Sequence, residues 1–440
     1  MRKFLLICRI SFLLIIGVIL SALVASSNFP ILFSTDQVLC PLLIQTSGAN
    51  SLQSEQSENF MQNHIAYCWG LIGNNPSYLN DEYAAGVRIK TFSLSWKKIS
   101  PSKGVTDTFY LERKKTELNQ LYQANFGVIL LLGYYDVPSW IHEEYPDSYY
   151  MNQYGDRYID NADAGDANLV FNPVLRDLVA EYIRYVFSYF GTEFIAVRVG
   201  GGRFGELTYP PANYANKSNC YWAFDRNALS KSTTLNWHPG DPSPSGEAKQ
   251  FLDVYLNALV DFQNWQINTV RKSYSGPLMM LYPSWGMRPG DYEKAVKANL
   301  NGSTSAELNG EVQRGYDFAR QISAITDPDV IVTTTWLDAD ASSDNLPDAR
   351  YWSPVKYLAY LANLHSQPLP LFGENTGQGS RTDMDQSATQ MKTYGLLGMA
   401  WYNEAELFSG QYANLEDYQR IIAKYNNGFT IYLPFLQSIR

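Results

Sequence analysis

The stretch FIAVRVGGGRFGELTYPP, residues 194–211, changes character abruptly over a few positions. An apolar run ends in three consecutive glycines, and a single carboxylate, Glu206, follows before an aromatic residue and two prolines. Glycines allow a tight turn and a close approach of the backbone, and prolines restrict the exit from that turn. The pattern predicts a buried strand whose end presents Glu206 on a glycine-rich turn.

Further apolar runs of similar length lie on both sides of this stretch. They are HIAYCWG (64–70), VRIKTFSL (87–94), VILLLGY (128–134), LMMLYPS (278–284), VIVTTTW (330–336), LPLFGE (369–374) and LLGMAWY (396–402). Segments with helical periodicity, such as 175–190 and 249–274, lie between them. Apolar strands that alternate with helices indicate a parallel sheet covered on both faces. The pattern predicts an α/β fold, a (β/α)8 TIM barrel with extended loops at the C-terminal face of the strands; a doubly wound open sheet is the alternative.

The composition argues against several classes of function. The 440 residues carry a net charge of −9 without any basic block, so we expect no nucleic-acid partner. No glycine-rich nucleotide fingerprint follows the first strands, and the four histidines are not spaced as metal ligands, so we expect no cofactor and no metal. Aromatic residues make up 14% of the chain, which suits either core packing or stacking on sugar rings.

The N-terminal residues predict export. Arg2, Lys3 and Arg9 precede or open an apolar run that ends in small residues near position 26, which is typical of a signal peptide or an N-terminal membrane anchor. A segment rich in Ser, Gln and Asn follows, so we assign 1–26 to targeting, 27–63 to a linker and 64–440 to the barrel. The expected location is secreted or extracytoplasmic, with a membrane tether as the alternative.

Cysteine usage leaves two alternatives open. Outside the targeting segment lie Cys40, Cys68 and Cys220, an odd number whose spacing fits no zinc site. In an exported protein Cys68 and Cys220 can pair, or these residues are unpaired and merely fill the core.

Candidate ligand-binding residues follow the predicted strands. In a barrel of this kind the functional side chains gather at the C-terminal ends of the strands, and aromatic rings there suit a neutral, hydroxyl-rich ligand. The predicted substrate-binding residues are Trp96, Tyr135, Trp140, Arg203, Tyr209, Trp285, Trp336, Asn375, Trp401 and Glu404.

Two glutamates are the candidates for catalysis. Glu206 and Glu374 each follow a glycine, at or just beyond the end of a buried-looking strand. Cleavage of a glycosidic bond requires two carboxyl groups, one to protonate the leaving oxygen and one to attack the anomeric carbon or activate water. A pair on well-separated strands of one barrel therefore predicts a carbohydrate substrate and a two-carboxylate mechanism.

Residues 83–206 resemble the N-terminal catalytic region of family 42 glycoside hydrolases, the β-galactosidase-like members of a retaining (β/α)8 clan. The resemblance rests on AGVRIKTFSLSWKKISPSKG, ANFGVILLLGYYDVPSWIHEEYPDSYYMNQYGDRY and FIAVRVGGGRFGE. It implies that Glu206 is the acid/base, that Glu374 is the strand-7 nucleophile, and that Trp401 is the family's strand-8 tryptophan.

One feature departs from that family. Gly205 precedes Glu206, where the clan has an asparagine that contacts the sugar. The segment FGELTYPP is also similar to the G-E-L-R-Y-P stretch of β-amylases, family 14, which invert. An inverting polysaccharide hydrolase and a non-catalytic carbohydrate-binding barrel are therefore the alternatives to a retaining glycosidase.

Overall fold

The computed structural model describes residues 40, 42, 67–159, 166–232, 234 and 236–426. Within these residues the chain forms eight strands, one from each predicted apolar run. They are β1 (Cys68–Ile72), β2 (Ile89–Ser93), β3 (Gly127–Leu131), β4 (Ala196–Val199), β5 (Leu278–Tyr282), β6 (Val330–Thr334), β7 (Leu371–Glu374) and β8 (Gly398–Tyr402).

The strands form a closed parallel barrel in chain order. Each strand pairs with the next, and β1 closes the ring against β8 from Cys68 opposite Gly398 to Ile72 opposite Tyr402. A side chain at Gly398 would lie 2.1 Å from the carbonyl oxygen of Cys68, so the closing pair can approach because that residue is glycine. The predicted (β/α)8 barrel is confirmed, and the doubly wound open sheet is excluded.

Helices connect the strands and cover the barrel. The helices of the described chain are α1 (Leu79–Ala84), α2 (Trp96–Ile99), α3 (Thr108–Gln123), α4 (Ser139–Glu144), α5 (Pro173–Phe190), α6 (Arg226–Lys231), α7 (Glu247–Arg271), α8 (Asp291–Lys297), α9 (Ser305–Leu308), α10 (Phe318–Ser323), α11 (Pro354–Leu364), α12 (Arg381–Thr393), α13 (Glu404–Ser409) and α14 (Leu415–Asn426). The long helices α5 and α7 occupy the segments whose periodicity predicted them.

Local sequence explains where these helices begin. The Asn172 side chain accepts hydrogen bonds from the backbone of Val174 and Leu175, and Pro173 takes the first helical position of α5. Proline suits that position because its missing N–H has no partner inside the helix. Ser380 and Asp383 form a reciprocal capping box at the start of α12.

Alternation along each strand separates two hydrophobic layers. On β3, Ile129 and Leu131 belong to the core inside the barrel, whereas Val128 and Leu130 pack outward against the helices. The outer layer is the larger of the two, and it holds most of the buried aromatic rings. Only inward-facing residues near the C-terminal ends of the strands can therefore reach a site in the barrel mouth.

The disulfide joins Cys40 to Cys68, and the predicted alternative of a Cys68–Cys220 bond is wrong. Cys68 opens β1 at the N-terminal end of the barrel, and it belongs with Cys40 and Leu42 to the inner core. Cys220 is a free, buried thiol that lies beside Asn152, far along the loop that follows β4.

Cys40 and Leu42 fall within the predicted linker, so at least these two residues contribute to the barrel core. The targeting segment 1–26 and the rest of the linker lie outside the described residues. Among the described residues, no helix is long and apolar enough to cross a membrane.

A buried charge cluster lies on the outer side of β2. The Lys90 ammonium group contacts both carboxylate oxygens of Glu82 at 2.7 Å and Glu404 Oε1 at 2.9 Å. Burial raises the pKa of Glu82 to about 7, with the Lys90 charge opposing this and the nearby Glu404 adding to it. Glu404 also accepts a hydrogen bond from the backbone of Asn75, so this carboxylate links β2 to the segments that follow β1 and β8.

Candidate active site

The turn after β4 folds back on itself and presents Glu206. The Gly202 N–H donates to the Glu206 carbonyl at 2.9 Å, and the Gly205 N–H donates to the Gly202 carbonyl at 2.9 Å. A side chain at Gly200 would lie 1.9 Å from the Gly205 carbonyl oxygen, and Gly205 has a φ of +75°. The glycines that the sequence places here are thus required by close backbone contact and by a left-handed conformation.

Glu206 is half-buried and lies among charges of both signs. Burial raises the pKa of its carboxyl group to about 6; the Arg314 and Arg198 guanidinium groups oppose the shift, and the Glu374 carboxylate adds to it. The Thr335 hydroxyl at the end of β6 donates to Glu206 Oε1 at 3.3 Å. A carboxyl group with this pKa holds its proton in mildly acidic solution and can deliver it to a bound molecule.

Glu374 ends β7 on the inner face and is only 7% exposed. Two nitrogens of Arg198, an inward-facing residue of β4, contact the two carboxylate oxygens at 2.9 and 3.4 Å. Burial raises the pKa of Glu374, while the permanent charge of the Arg198 guanidinium opposes that effect. A two-point contact between a guanidinium group and a carboxylate stabilises the ionised form of the carboxylate and fixes its orientation.

The two glutamates share one site at the barrel mouth. Each interacts electrostatically with Arg198, and the Glu374 charge acts directly on Glu206. One carboxyl group is half-buried on a loop without an ion pair at contact distance among the described residues, and the other is fully buried and held by arginine. Different surroundings of this kind suit one carboxyl for donating a proton and the other for carrying charge.

Several predicted binding residues lie near this pair or on its rim. Half-buried Tyr135 lines a narrow cleft together with Arg198, Phe204 and Gly205. The Arg203 guanidinium lies over the Phe204 ring at 4.9 Å and donates to the Tyr158 hydroxyl at 3.5 Å. Trp285 and Trp336 are half-buried just beyond the ends of β5 and β6.

The other predicted residues are not brought into the mouth. Trp401 is 1% exposed and packs outward against Tyr418, because its neighbours Ala400 and Tyr402 take the inward positions of β8. Buried Tyr209 stacks on Tyr255 at a ring separation of 4.0 Å in the outer layer. In these positions the rings fill the core between barrel and helices.

The remaining four predicted residues make structural contacts. Trp96 packs against Tyr182 and Trp140, and the Trp140 indole donates to the Ser100 carbonyl at 2.9 Å. Asn375 bonds both backbone groups of Tyr402, at 2.5 and 3.0 Å, and thereby ties the end of β7 to that of β8. Glu404 belongs to the buried cluster with Lys90.

Sequence reasoning missed five residues of the site: Arg198, Phe204, Arg314, Thr335 and Tyr402. Arg198 carried a usable signal, since a charge inside a buried run is rare unless it is paired. Tyr402 is 45% exposed on the inner face, and it interacts electrostatically with Tyr135. Within the described residues, no group of three or more His, Cys, Asp or Glu side chains is placed to hold a metal ion.

Comparison with solved structures finds this fold among glycosidases. The catalytic domain of the β-amylase from Paenibacillus polymyxa superposes with a TM-score of 0.62 at 16% identity, over 82% of this chain and 99% of that one. A β-galactosidase from Bacillus circulans sp. alkalophilus gives 0.52 at 12% identity, over 83% of this chain and 57% of the other. A GH42 β-galactosidase from G. stearothermophilus gives a TM-score of 0.50 at 13% identity, over 83% of this chain and 57% of the other.

No family model matches the chain, and no curated protein matches it in sequence. The chain spans only 57% of the two β-galactosidase chains, whereas the β-amylase domain is covered almost completely. At these identities the likeness establishes the fold. The fold resemblance predicted from the sequence, to family 42 and more locally to β-amylase, is confirmed at that level.

The adjacent residues Trp401 and Tyr402 provide a test of the inward and outward faces. We expect Trp401→Ala to lower the free energy of unfolding by about 3–5 kcal/mol, because it empties a large volume in the outer core. Tyr402→Ala removes a half-exposed ring and should cost at most about 1 kcal/mol. Urea unfolding followed by circular dichroism measures both; equal losses would contradict the assigned faces.

Proposed function

We propose that this protein hydrolyses O-glycosidic bonds, with Glu206 as the proton donor and Glu374 as the second carboxylate. The observation that carries the proposal is the pairing of a half-buried carboxyl group whose pKa is raised to about 6 with a buried, arginine-held carboxylate at the same barrel mouth. Such a pair supplies the acid and the anion that glycoside hydrolysis needs. The glycosidase fold of the structural neighbours supports a carbohydrate substrate.

The proposed roles follow from the two environments. Glu206 stands on the turn, where its proton can reach the oxygen of the departing group. Glu374 lies deeper, where it would face the anomeric carbon and stabilise the positive charge that develops there. The Arg198 guanidinium favours the ionised form of Glu374 against the effect of burial, whereas Glu206 has no ion pair at contact distance among the described residues, so the two glutamates suit different roles.

For the stereochemical course we propose retention, with Glu374 as a β-galactosidase-like nucleophile. A nucleophile must be ionised to attack, and it must also leave again in the second step. Both requirements favour an ionised carboxylate, and the Arg198 guanidinium at 2.9 Å favours that form against the opposing effect of burial.

Inversion is the second candidate, with Glu374 as a general base acting on water. Two observations favour it: the β-amylase-like segment around Glu206 with Gly205 in place of asparagine, and a structural likeness that covers 99% of a β-amylase catalytic domain. The substrate would then be a polysaccharide. A non-catalytic carbohydrate-binding barrel is the outcome if sugars bind without turnover.

We also propose that the protein acts outside the cytoplasm. The Cys40–Cys68 disulfide supports this, because such bonds persist in oxidising compartments and are rare in the cytosol. The apolar segment at the N-terminus supports export as well.

Replacing the acid tests the assignment of Glu206. Glu206→Gln should lower kcat/KM about 10²–10⁴-fold on substrates with poor leaving groups, such as lactose or maltotetraose. Dinitrophenyl glycosides need little protonation and should lose far less in the bond-cleavage step. Glu416→Gln, at an exposed position on α14, is the matched control. Equal losses on both kinds of substrate would remove Glu206 from the role of acid.

The pH dependence of activity tests the same residue independently. Glu206 donates only while protonated, so kcat/KM should fall as the pH rises through about 6. Arg314 lowers the pKa of Glu206, so in Arg314→Met the fall of kcat/KM, the basic limb of the pH profile, should move to higher pH. Arg314→Lys keeps the positive charge and should return the basic limb to its original pH. A limb that is identical in all three proteins would show that another group controls it.

The first-formed anomer decides the role of Glu374. Proton NMR during the first minutes of hydrolysis, before mutarotation, should show a product with the configuration of the substrate if Glu374 is the nucleophile. Product of the opposite configuration would instead establish inversion, with Glu374 as the base.

A further inference from the structure

The turn that presents Glu206 also presents an exposed aromatic ring. Phe204 has a φ of +62° and a ψ of +12°, the left-handed region, although it is not a glycine. Its side chain is 63% exposed. A bulky residue in this conformation is strained, and an exposed phenyl ring gains little from burial to offset the strain. The folding of the barrel therefore does not account for a phenylalanine here.

The contacts around Phe204 hold the ring at the mouth of the site. Hydrogen bonds from Gly202 to Glu206 and from Gly205 to Gly202 close the turn on both sides of it. The Arg203 guanidinium, itself bonded to Tyr158, lies over the ring at 4.9 Å. Phe204 shares a narrow cleft with Arg198, the residue that holds Glu374. The ring therefore lies on the turn that carries Glu206, at the cleft that Arg198 also lines.

We propose that Phe204 is a stacking platform for the leaving-group sugar of the substrate, and this inference rests on the proposed hydrolase function. Glu374 is buried inside the barrel, where the reacting anomeric carbon would lie, whereas Phe204 stands at the rim. The substrate beyond the cleaved bond must leave the barrel past the rim, on the side from which Glu206 delivers its proton. A ring supplied by the same turn as Glu206 meets that portion, and its flat apolar face suits a pyranose.

The consequence is a preference for substrates whose leaving group is itself a sugar. Stacking on Phe204 would position the leaving group beside Glu206, so its contribution should appear in kcat/KM for oligosaccharides. A fluoride leaving group has no ring to stack and departs with little protonation. The ratio of kcat/KM for the oligosaccharide to kcat/KM for the glycosyl fluoride therefore reports on Phe204 separately from the two carboxylates.

The test compares Phe204→Asn with the unmodified protein. Asparagine tolerates the left-handed conformation, so the variant removes the ring without forcing the turn to change. The substrate pairs are β-galactobiose with β-galactosyl fluoride and maltotetraose with maltosyl fluoride. For the pair that the unmodified protein hydrolyses, we expect the ratio of oligosaccharide to fluoride kcat/KM to fall roughly 10-fold to 100-fold, the range for loss of a buried aromatic contact.

Controls separate this inference from the function on which it rests. Phe204→Tyr keeps the ring and should restore the ratio, and Phe109→Ala removes an even more exposed ring elsewhere and should not change it. In the Glu206→Gln background, calorimetry should show weaker oligosaccharide binding when Phe204→Asn is added. An unchanged ratio in an active enzyme overturns the role of Phe204 alone. If the unmodified protein hydrolyses neither substrate pair and no aryl glycoside, the proposed function and this inference are overturned together.

Discussion

The ion pair between Arg198 and Glu374 is the interaction on which the site depends. Both side chains point into the barrel, from β4 and from β7, three strands away, and both are buried. Either charge alone would be strongly unfavourable there, since a buried ion without its partner costs several kcal/mol. Each residue therefore requires the other, and together they place a carboxyl group held by arginine beneath the mouth of the barrel.

This pair also explains why Glu206 has a different character. The guanidinium of Arg198 is already committed to Glu374 at 2.9 Å, so Glu206 interacts with it only at longer range. Burial then outweighs the attraction of Arg198 and Arg314, and the pKa of Glu206 rises to about 6. Two residues of the same type thus have different electrostatic surroundings, which is the basis of the different roles proposed for them.

The sequence predicted the order of the elements and the two glutamates, but not the direction of the side chains. The apolar runs located every strand, because strands buried on both faces are nearly continuous in hydrophobicity. That same continuity hides which residues face inward. Trp401 and Tyr402 are both aromatic, and only the closed barrel shows that Tyr402 is the inward one. Tyr209 and Trp96 lie beyond the ends of β4 and β2, on a loop and on α2, and both pack in the outer layer.

The charged residues within the apolar strands show that the face on which a side chain lies determines which groups it can contact. Lys90 lies next to inward-facing Ile89, so its ammonium group points outward and serves a buried cluster with Glu82 and Glu404. Arg198 lies two positions after inward-facing Ala196, so it points into the barrel and reaches Glu374. Both charges interrupt an apolar strand in the same way. Because side chains alternate along a strand, a shift of one position separates a structural ion pair from one in the candidate active site.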